Sequence, residues 1–291
     1  MKNFSRYLLF LFIVCPVFSI EINLDTGDLD KRYYIQLGEK ILISSQEYKT
    51  IRLITPIRDH YSNITTDDQI DVQEIKYEFI NIEIENNILD LSAIPELSLG
   101  TYQIAWGNQP DEYCSYDPLF LEDNIIQIVV RKDDTFLGYL LEHINNPFIY
   151  TPLRNSNGLN QVDNNLGCDC VSLITYGLRR MGYNTPYSNP QSIGGYISTK
   201  ETQSYQPEYF SNEVYIYKNS NNKSYEIKDG AIEKGIIISF REQISALYED
   251  RGIIGILDSE DLLIQSWFDG PLIVSIKENG FWGYPLKVYE L

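Results

Sequence analysis

Residues 167–182 read GCDCVSLITYGLRRMG and decide how the C-terminal part of the chain is interpreted. Arg179 and Arg180 would occupy the last turn of a helix, and Gly182 is a typical helix stop. The spacing therefore predicts a capped helix with Cys170 at or near its first turn. One face of that helix carries Cys170, Leu173, Ile174, Gly177, Leu178 and Met181.

A cysteine in the first turn of a helix is suited to nucleophilic attack. The helix dipole lowers the pKa of a thiol at that place, and the unpaired backbone N–H groups of the first turn can hold an oxyanion during acyl transfer. A second interpretation stays open, in which Cys170 is a buried structural cysteine or a disulfide partner of Cys114. Metal binding by Cys168, Asp169 and Cys170 would need further ligands, and no histidine is near in the sequence, so we expect no metal and no other cofactor.

The first residues are typical of a secretory signal. A positively charged start precedes the apolar run Tyr7–Phe18, which is shorter than the ~20 residues that span a bilayer. We place the cleavage after Ser19, so that the signal peptide is 1–19. We expect an exported protein, periplasmic or extracellular, with no membrane insertion after signal removal. An uncleaved anchor and a lipoprotein attached at Cys15 are the alternatives.

Charge and cysteine count limit the partners. The chain has 23 Lys and Arg against 41 Asp and Glu, a formal net charge of −18, which disfavours nucleic acid and anionic lipid as partners. Without Cys15 three cysteines remain, so at least one thiol is unpaired or pairs between molecules. A bridge between Cys114 and Cys168 and three buried thiols are both open at this point.

Residues 20–131 have the pattern of strands. Several apolar runs alternate with polar residues, and clusters of Gly, Asn, Asp and Pro separate them. This predicts an all-β sandwich-like domain over 20–131, with His60 in a solvated loop. The expected strands are Tyr33–Leu37, Lys40–Ser44, Thr50–Thr55 and Ile75–Ile84.

Helical spacing begins after Asp133, which predicts a helix that ends at Pro147. His143 would lie in the last turn, where a cation favours the helix dipole. After Tyr183 the chain reads as irregular to about Asn222, and then as short antiparallel strands, so 132–291 is an α+β arrangement. The expected strands are Ile236–Phe240, Ile244–Tyr248, Ile253–Leu257, Leu262–Trp267, Leu272–Ile276 and Leu286–Glu290.

The stretch Asp169-Cys170-Val171-Ser172-Leu173 resembles the D-C-x-x-L nucleophile motif of the NlpC-type cell-wall endopeptidases, which are papain-like cysteine peptidases. Pro147-Phe148-Ile149-Tyr150 is similar to the turn that precedes the active-site loop of that family. Segments 235–240, 243–248 and 263–266 lie in the order of the later strands of the family. The resemblance implies a papain-like domain over 132–291, with Cys170 as nucleophile and peptidoglycan stem peptides as the substrate class.

The resemblance does not extend to the catalytic base of the family. The position of the base histidine falls on Gln243, or on Ile253 in a second placement, and no histidine follows Cys170. The third polar position falls on Gln265, which can orient a base but cannot be one, since an amide takes no proton near neutral pH. His143 could replace the base only if its helix aims the ring at Cys170.

Two functions are compatible with these residues. In the first, the cleft binds a cell-wall peptide or a protein partner with weak or no turnover, and Cys170 is a relic. In the second, the chain is an active cysteine amidase or endopeptidase on stem peptides, with Cys170 as nucleophile. A third and simpler hypothesis makes the β-domain the working part and the C-terminal domain a spacer. The oligomeric state stays open.

Overall fold

The computed structural model describes residues 19–26, 29–57, 64–66, 69–71, 77–94, 97–107, 124–149, 160–188, 193, 196, 201–211, 214–219, 224–226, 235–239, 253–258, 262–267, 270–275 and 286–289. These residues are mostly β-sheet with few helices, so the β-rich class predicted from the sequence is confirmed. None of the helices in these ranges is long and apolar enough to cross a membrane.

The N-terminal strands form two mixed sheets and a small hairpin. The strands are β1 (Ser19–Asn23), β2 (Arg32–Gln36), β3 (Lys40–Ser44), β4 (Thr50–Pro56), β5 (Ile64–Thr66), β6 (Gln69–Asp71), β7 (Tyr77–Glu83), β8 (Ile88–Asp90), β9 (Gly100–Trp106) and β10 (Ile125–Arg131). One sheet has the order β1-β3-β8 and the other the order β2-β10-β9-β4-β7, while β5 pairs with β6. The β1–β3 and β2–β10 pairs are parallel and the other pairs are antiparallel. The strands expected over 33–37, 40–44, 50–55 and 75–84 are present, with ends shifted by two residues or fewer.

Apolar residues from both sheets share one core. Ile43 on β3 and Ile104 on β9 are completely buried in it. The other face of the five-stranded sheet is covered by Phe148 and Ile149, which pack with Ala105 in a separate apolar cluster. Because both of its faces are covered, β9 is buried along its whole length.

The first helix, α1 (Phe136–Leu141), is shorter than predicted. It begins at the N-cap Thr135, whose side chain accepts a hydrogen bond from the Gly138 N–H. It ends before Pro147 because Thr101 of β9 binds the backbone that follows: its hydroxyl donates to the Glu142 carbonyl (2.6 Å) and its N–H donates to the Ile144 carbonyl (2.7 Å). These carbonyls bond to the sheet instead of continuing a helix.

The second helix, α2 (Cys170–Arg180), begins at the predicted residue. Asp169 is its N-cap: the carboxylate accepts from the Ser172 N–H (2.7 Å), and the Ser172 hydroxyl accepts from the Asp169 N–H (2.8 Å). Gly182 follows the helix with φ +92°, a conformation that favours glycine. The prediction of a capped helix that starts at Cys170 is confirmed.

The C-terminal strands form an antiparallel sheet. They are β11 (Glu201–Ser211), β12 (Val214–Asn219), β13 (Ser224–Glu226), β14 (Gly235–Ser239), β15 (Ile253–Asp258), β16 (Leu262–Trp267), β17 (Gly270–Ser275) and β18 (Leu286–Tyr289). Their order is β13-β12-β11-β18-β14-β15-β16-β17. The prediction that residues 183–222 are irregular is wrong, since β11 and β12 lie in this stretch. Pro207 lies where the pairing register of β11 with β12 shifts. The strand predicted at 244–248 lies outside the described residues.

Candidate functional site

The two sequence motifs around Cys170 meet in the structure. Phe148 forms a parallel bridge with Cys168. The Cys168 N–H donates to the Pro147 carbonyl (3.1 Å), and the Ile149 N–H donates to the Cys168 carbonyl (3.3 Å). The stretch 147–149 therefore fixes the segment that leads into α2.

Cys168 has a structural role. It is completely buried, and its thiol donates to the Ser266 hydroxyl of β16 (3.6 Å), which in turn donates to the Cys168 carbonyl (2.8 Å). Burial raises the pKa of the Cys168 thiol well above its ordinary value. Neither Cys168 nor Cys170 is in a disulfide in the structure, and Cys114 lies outside the described residues.

Cys170 is the first residue of α2 and is 6% exposed. The preceding Asp169 is extended, with φ −95° and ψ −178°, which is the backbone conformation typical of an N-cap residue. Helix α2 packs against β15 and β16, and Ile264 of β16 joins the apolar cluster that contains Cys170. The thiol thus lies where the helix starts, at its contact with the sheet.

Tyr187 fixes the carboxylate next to Cys170. The Tyr187 hydroxyl donates to Asp169 Oδ2 (2.7 Å), while Asp169 Oδ1 accepts the N–H of Ser172. The carboxylate is therefore held at both oxygens. Sequence reasoning missed both Tyr187 and Ser266, because their contacts with 168–169 join residues that are distant in the sequence.

His143 is completely buried beyond the end of α1. Its Nδ1 lies 3.0 Å from Asn146 Nδ2, and its ring packs edge-on against Tyr176, with 4.3 Å between the centroids. Burial, with a smaller contribution from the charge of Arg180, lowers the pKa of His143 to about 3. The prediction of a cation that favours the dipole of α1 is therefore wrong, since the ring is neutral.

The contacts of His143 lie along the middle of α2. Tyr176 is six residues beyond Cys170, which is about 9 Å along the helix axis at 1.5 Å per residue. The hypothesis that His143 serves Cys170 as a base gains no support from this placement.

The two glutamines predicted for the site lie in different parts of the chain. Gln265 lies in β16 between Ile264 and Ser266, and its register partner on β15 is Gly255. Gln243 lies outside the described residues. In this strand Ser266, next to Gln265, supplies the described polar contact with the cysteine segment. Ile253, the second placement for the base, begins β15.

A cluster of charged and polar side chains joins β10 to both helices; we call Arg131, Glu142, His143, Tyr176 and Arg180 the charged junction. The Glu142 carboxylate is completely buried and accepts the Tyr176 hydroxyl. Arg180 Nη1 lies 3.4 Å from Glu142 Oε2, and Arg131 Nη1 lies 3.8 Å from Glu142 Oε1. Burial raises the pKa of Glu142, and the Tyr176 hydroxyl and the two guanidinium groups act in the opposite direction.

Aromatic rings surround Arg180. Its guanidinium lies 4.5 Å from the ring centroid of Tyr139, 5.5 Å from that of Tyr34 and 5.6 Å from that of Tyr176. Burial raises the pKa of the Tyr176 hydroxyl, so this group stays protonated and donates to Glu142. These contacts bring β2 to the charged junction as well.

The chemistry of this site follows from the residues that form it, because comparison with known proteins adds nothing to it. No family model, characterised protein or solved structure matches the chain. Within the described ranges, no group of three His, Cys, Asp or Glu side chains is placed to hold a metal ion. What the described residues offer is a thiol at the positive end of a capped helix.

Proposed function

We propose that the chain is an exported protein with an NlpC-type papain-like domain in its C-terminal part, and that this domain binds a cell-wall stem peptide with weak or no turnover. The position of Cys170 carries the proposal. It begins a helix that Asp169 caps, and the helix packs on antiparallel strands that follow it in the sequence. This arrangement supports the interpretation drawn from the D-C-x-x-L motif.

Weak turnover follows from the chemistry around the thiol. A cysteine hydrolase needs a group that removes the thiol proton and later protonates the leaving amine. His143 is committed to Asn146 and Tyr176, and at a pKa of about 3 it is a poor base. General acid–base help contributes about 10²–10⁴-fold to such a reaction. The described residues therefore support binding over hydrolysis.

The start of α2 supplies a reason for binding a peptide. The positive end of the helix dipole favours the partial negative charge of a peptide carbonyl oxygen. The hydrogen bonds of Asp169 to Ser172 and Tyr187 hold this end of the helix in one conformation, which reduces the entropy lost on binding. The net charge of −18 argues against nucleic acid as the partner.

The test uses the chain without residues 1–19, as wild type and as Cys170→Ala, incubated with purified insoluble peptidoglycan. We expect both proteins to sediment with the peptidoglycan, and mass spectrometry of the supernatant to find the same fragments for both. Cys168→Ser is the matched control, because it alters the neighbouring thiol, which has a structural role.

Two outcomes contradict the proposal in different ways. Fragments released by the wild type and lost in Cys170→Ala, but kept in Cys168→Ser, would establish hydrolysis and overturn the claim of weak turnover. Failure of the wild type to sediment with peptidoglycan would overturn the claim of binding.

A further inference from the structure

His143 occupies a place that accepts only a neutral ring. The side chain has no exposed surface, and its Nδ1 faces the amide nitrogen of Asn146. Its Nε2 has no hydrogen-bond partner among the described residues. Because Nδ1 accepts from the Asn146 amide, the neutral ring carries its hydrogen at Nε2, and protonation would add an N–H at Nδ1 that points at the Asn146 donor. The geometry therefore disfavours the imidazolium.

The charges that face His143 also disfavour a second cation. Helix α2 presents Tyr176, whose ring packs on the imidazole, and Arg180, which lies against the same tyrosine. The neighbouring Glu142 directs its carboxylate to the Tyr176 hydroxyl, and Arg131 of β10 approaches that carboxylate. Asp134 pairs with Arg131 (3.0 Å), and Tyr34 of β2 lies over Arg180. The carboxylates of the junction are thus already engaged with arginines.

We propose that His143 is an acid-sensitive switch in the charged junction: when the ring takes a proton, residues 142–149 separate from α2 and β9. The backbone of this segment is bound by Thr101 on one side and by Cys168 on the other. Its release would loosen the segment that leads into Cys170. The inference is independent of the function proposed above, since it concerns the protein without any ligand.

The direction of the effect follows from proton linkage. The open state, with an ordinary histidine near 6.5, binds more protons than the closed state, in which the pKa of His143 is about 3. The closed state is therefore fully favoured above pH ~6.5 and loses stability as the pH falls towards 3. Glu142 acts in the opposite direction, because its raised pKa makes the closed state bind a proton more readily.

Hydrogen exchange measured by mass spectrometry tests the switch. Exchange is corrected for the intrinsic rate and compared at pH 6.5 and pH 5 in peptides that cover α1 through Ile149, with β1 and β3 as internal references. Because the histidine of the open state is already half protonated at pH 6.5, we expect protection of the 136–149 peptide to fall about 15-fold relative to the references between these two pH values. His143→Gln, which keeps an acceptor for Asn146, and His143→Phe, which keeps the ring against Tyr176, should remove most of this fall.

His60→Gln is the matched control, because it replaces the other histidine of the chain and should behave as the wild type. A wild type with no selective loss of protection at pH 5, or His143 variants that lose it equally, would overturn the proposal. Exchange of the histidine C2 hydrogens in the wild type is a second measurement that needs no variant. It should show no titration of His143 near pH 6.5, and an ordinary midpoint there would also overturn the switch.

Discussion

The two-sheet core and the charged junction are held together by different forces, although β10 takes part in both. The core of the two N-terminal sheets is built from aliphatic residues such as Ile43, Ile104 and Ile128, all completely buried. The junction buries Glu142 and His143 to the same extent, and its contacts depend on which groups carry a proton. The sheets should therefore have a stability that varies little with pH, whereas the segment that leads to Cys170 should respond to it.

The largest effect is expected in the apolar region. Ile104→Ala removes a completely buried side chain between Leu53 and Ile126, its register partners on the neighbouring strands. We expect the free energy of unfolding to fall by about 2–5 kcal/mol, from lost burial and the cavity that remains. Urea denaturation at two pH values should give the same loss, because no titrating group is involved.

Ile88→Ala is the matched control for that substitution. Ile88 is 55% exposed on β8, so the same change should cost less than about 1 kcal/mol. Equal losses for the two variants would show that the core of the two sheets does not carry the stability of this region. A loss for Ile104→Ala that changes with pH would show that the two regions are not distinct.

The apolar region could be predicted from the sequence because its signals are local. The strand β3 contains the apolar run 41–43, and β4 alternates apolar and polar residues over 50–53. Helix α2 is marked by Asp169 before it and Gly182 after it. No capping residue in the sequence marks the place where α1 ends. It is set by Thr101, which lies 41 residues before Glu142 and binds its carbonyl. The local pattern therefore predicts a helix that runs on to Pro147, and it assigns His143 to the wrong environment.

Glu142→Gln tests how the stability contributed by the charged junction depends on pH. Burial raises the pKa of Glu142, so the folded state loses stability as the pH rises through that value and the carboxyl ionises. The glutamine variant has no proton to lose. The stability of the variant relative to the wild type should therefore increase with pH, by at most about 1.4 kcal/mol per pH unit. Urea unfolding of both proteins from pH 4 to pH 8 measures this difference, and parallel curves would contradict it.

Only those residues of the candidate site that lie close together in the sequence can be predicted from it. Asp169 and Cys170 belong to one helix start, whose capping residues lie within three positions of each other. Tyr187 and Ser266 reach the same segment through the tertiary fold, 18 residues after Asp169 and 98 residues after Cys168. A single sequence carries no pattern that joins such distant positions, so the motif indicates Gln265 and misses its neighbour Ser266.

The smallest effect is expected where the helices of the C-terminal part approach each other. A Cβ at Gly177 of α2 would lie 2.7 Å from side-chain carbons of Phe136 and of Leu140 on α1. Overpacking of this kind costs about 1–3 kcal/mol, and the better helix propensity of alanine offsets about 1 kcal/mol. We expect Gly177→Ala to lose about 1 kcal/mol net in urea denaturation. In a background of Leu140→Ala, which removes one of the two close contacts, the same substitution should cost less, although the contact with Phe136 remains. An unchanged loss in that background would show that the contact with Leu140 does not contribute to the cost of the substitution.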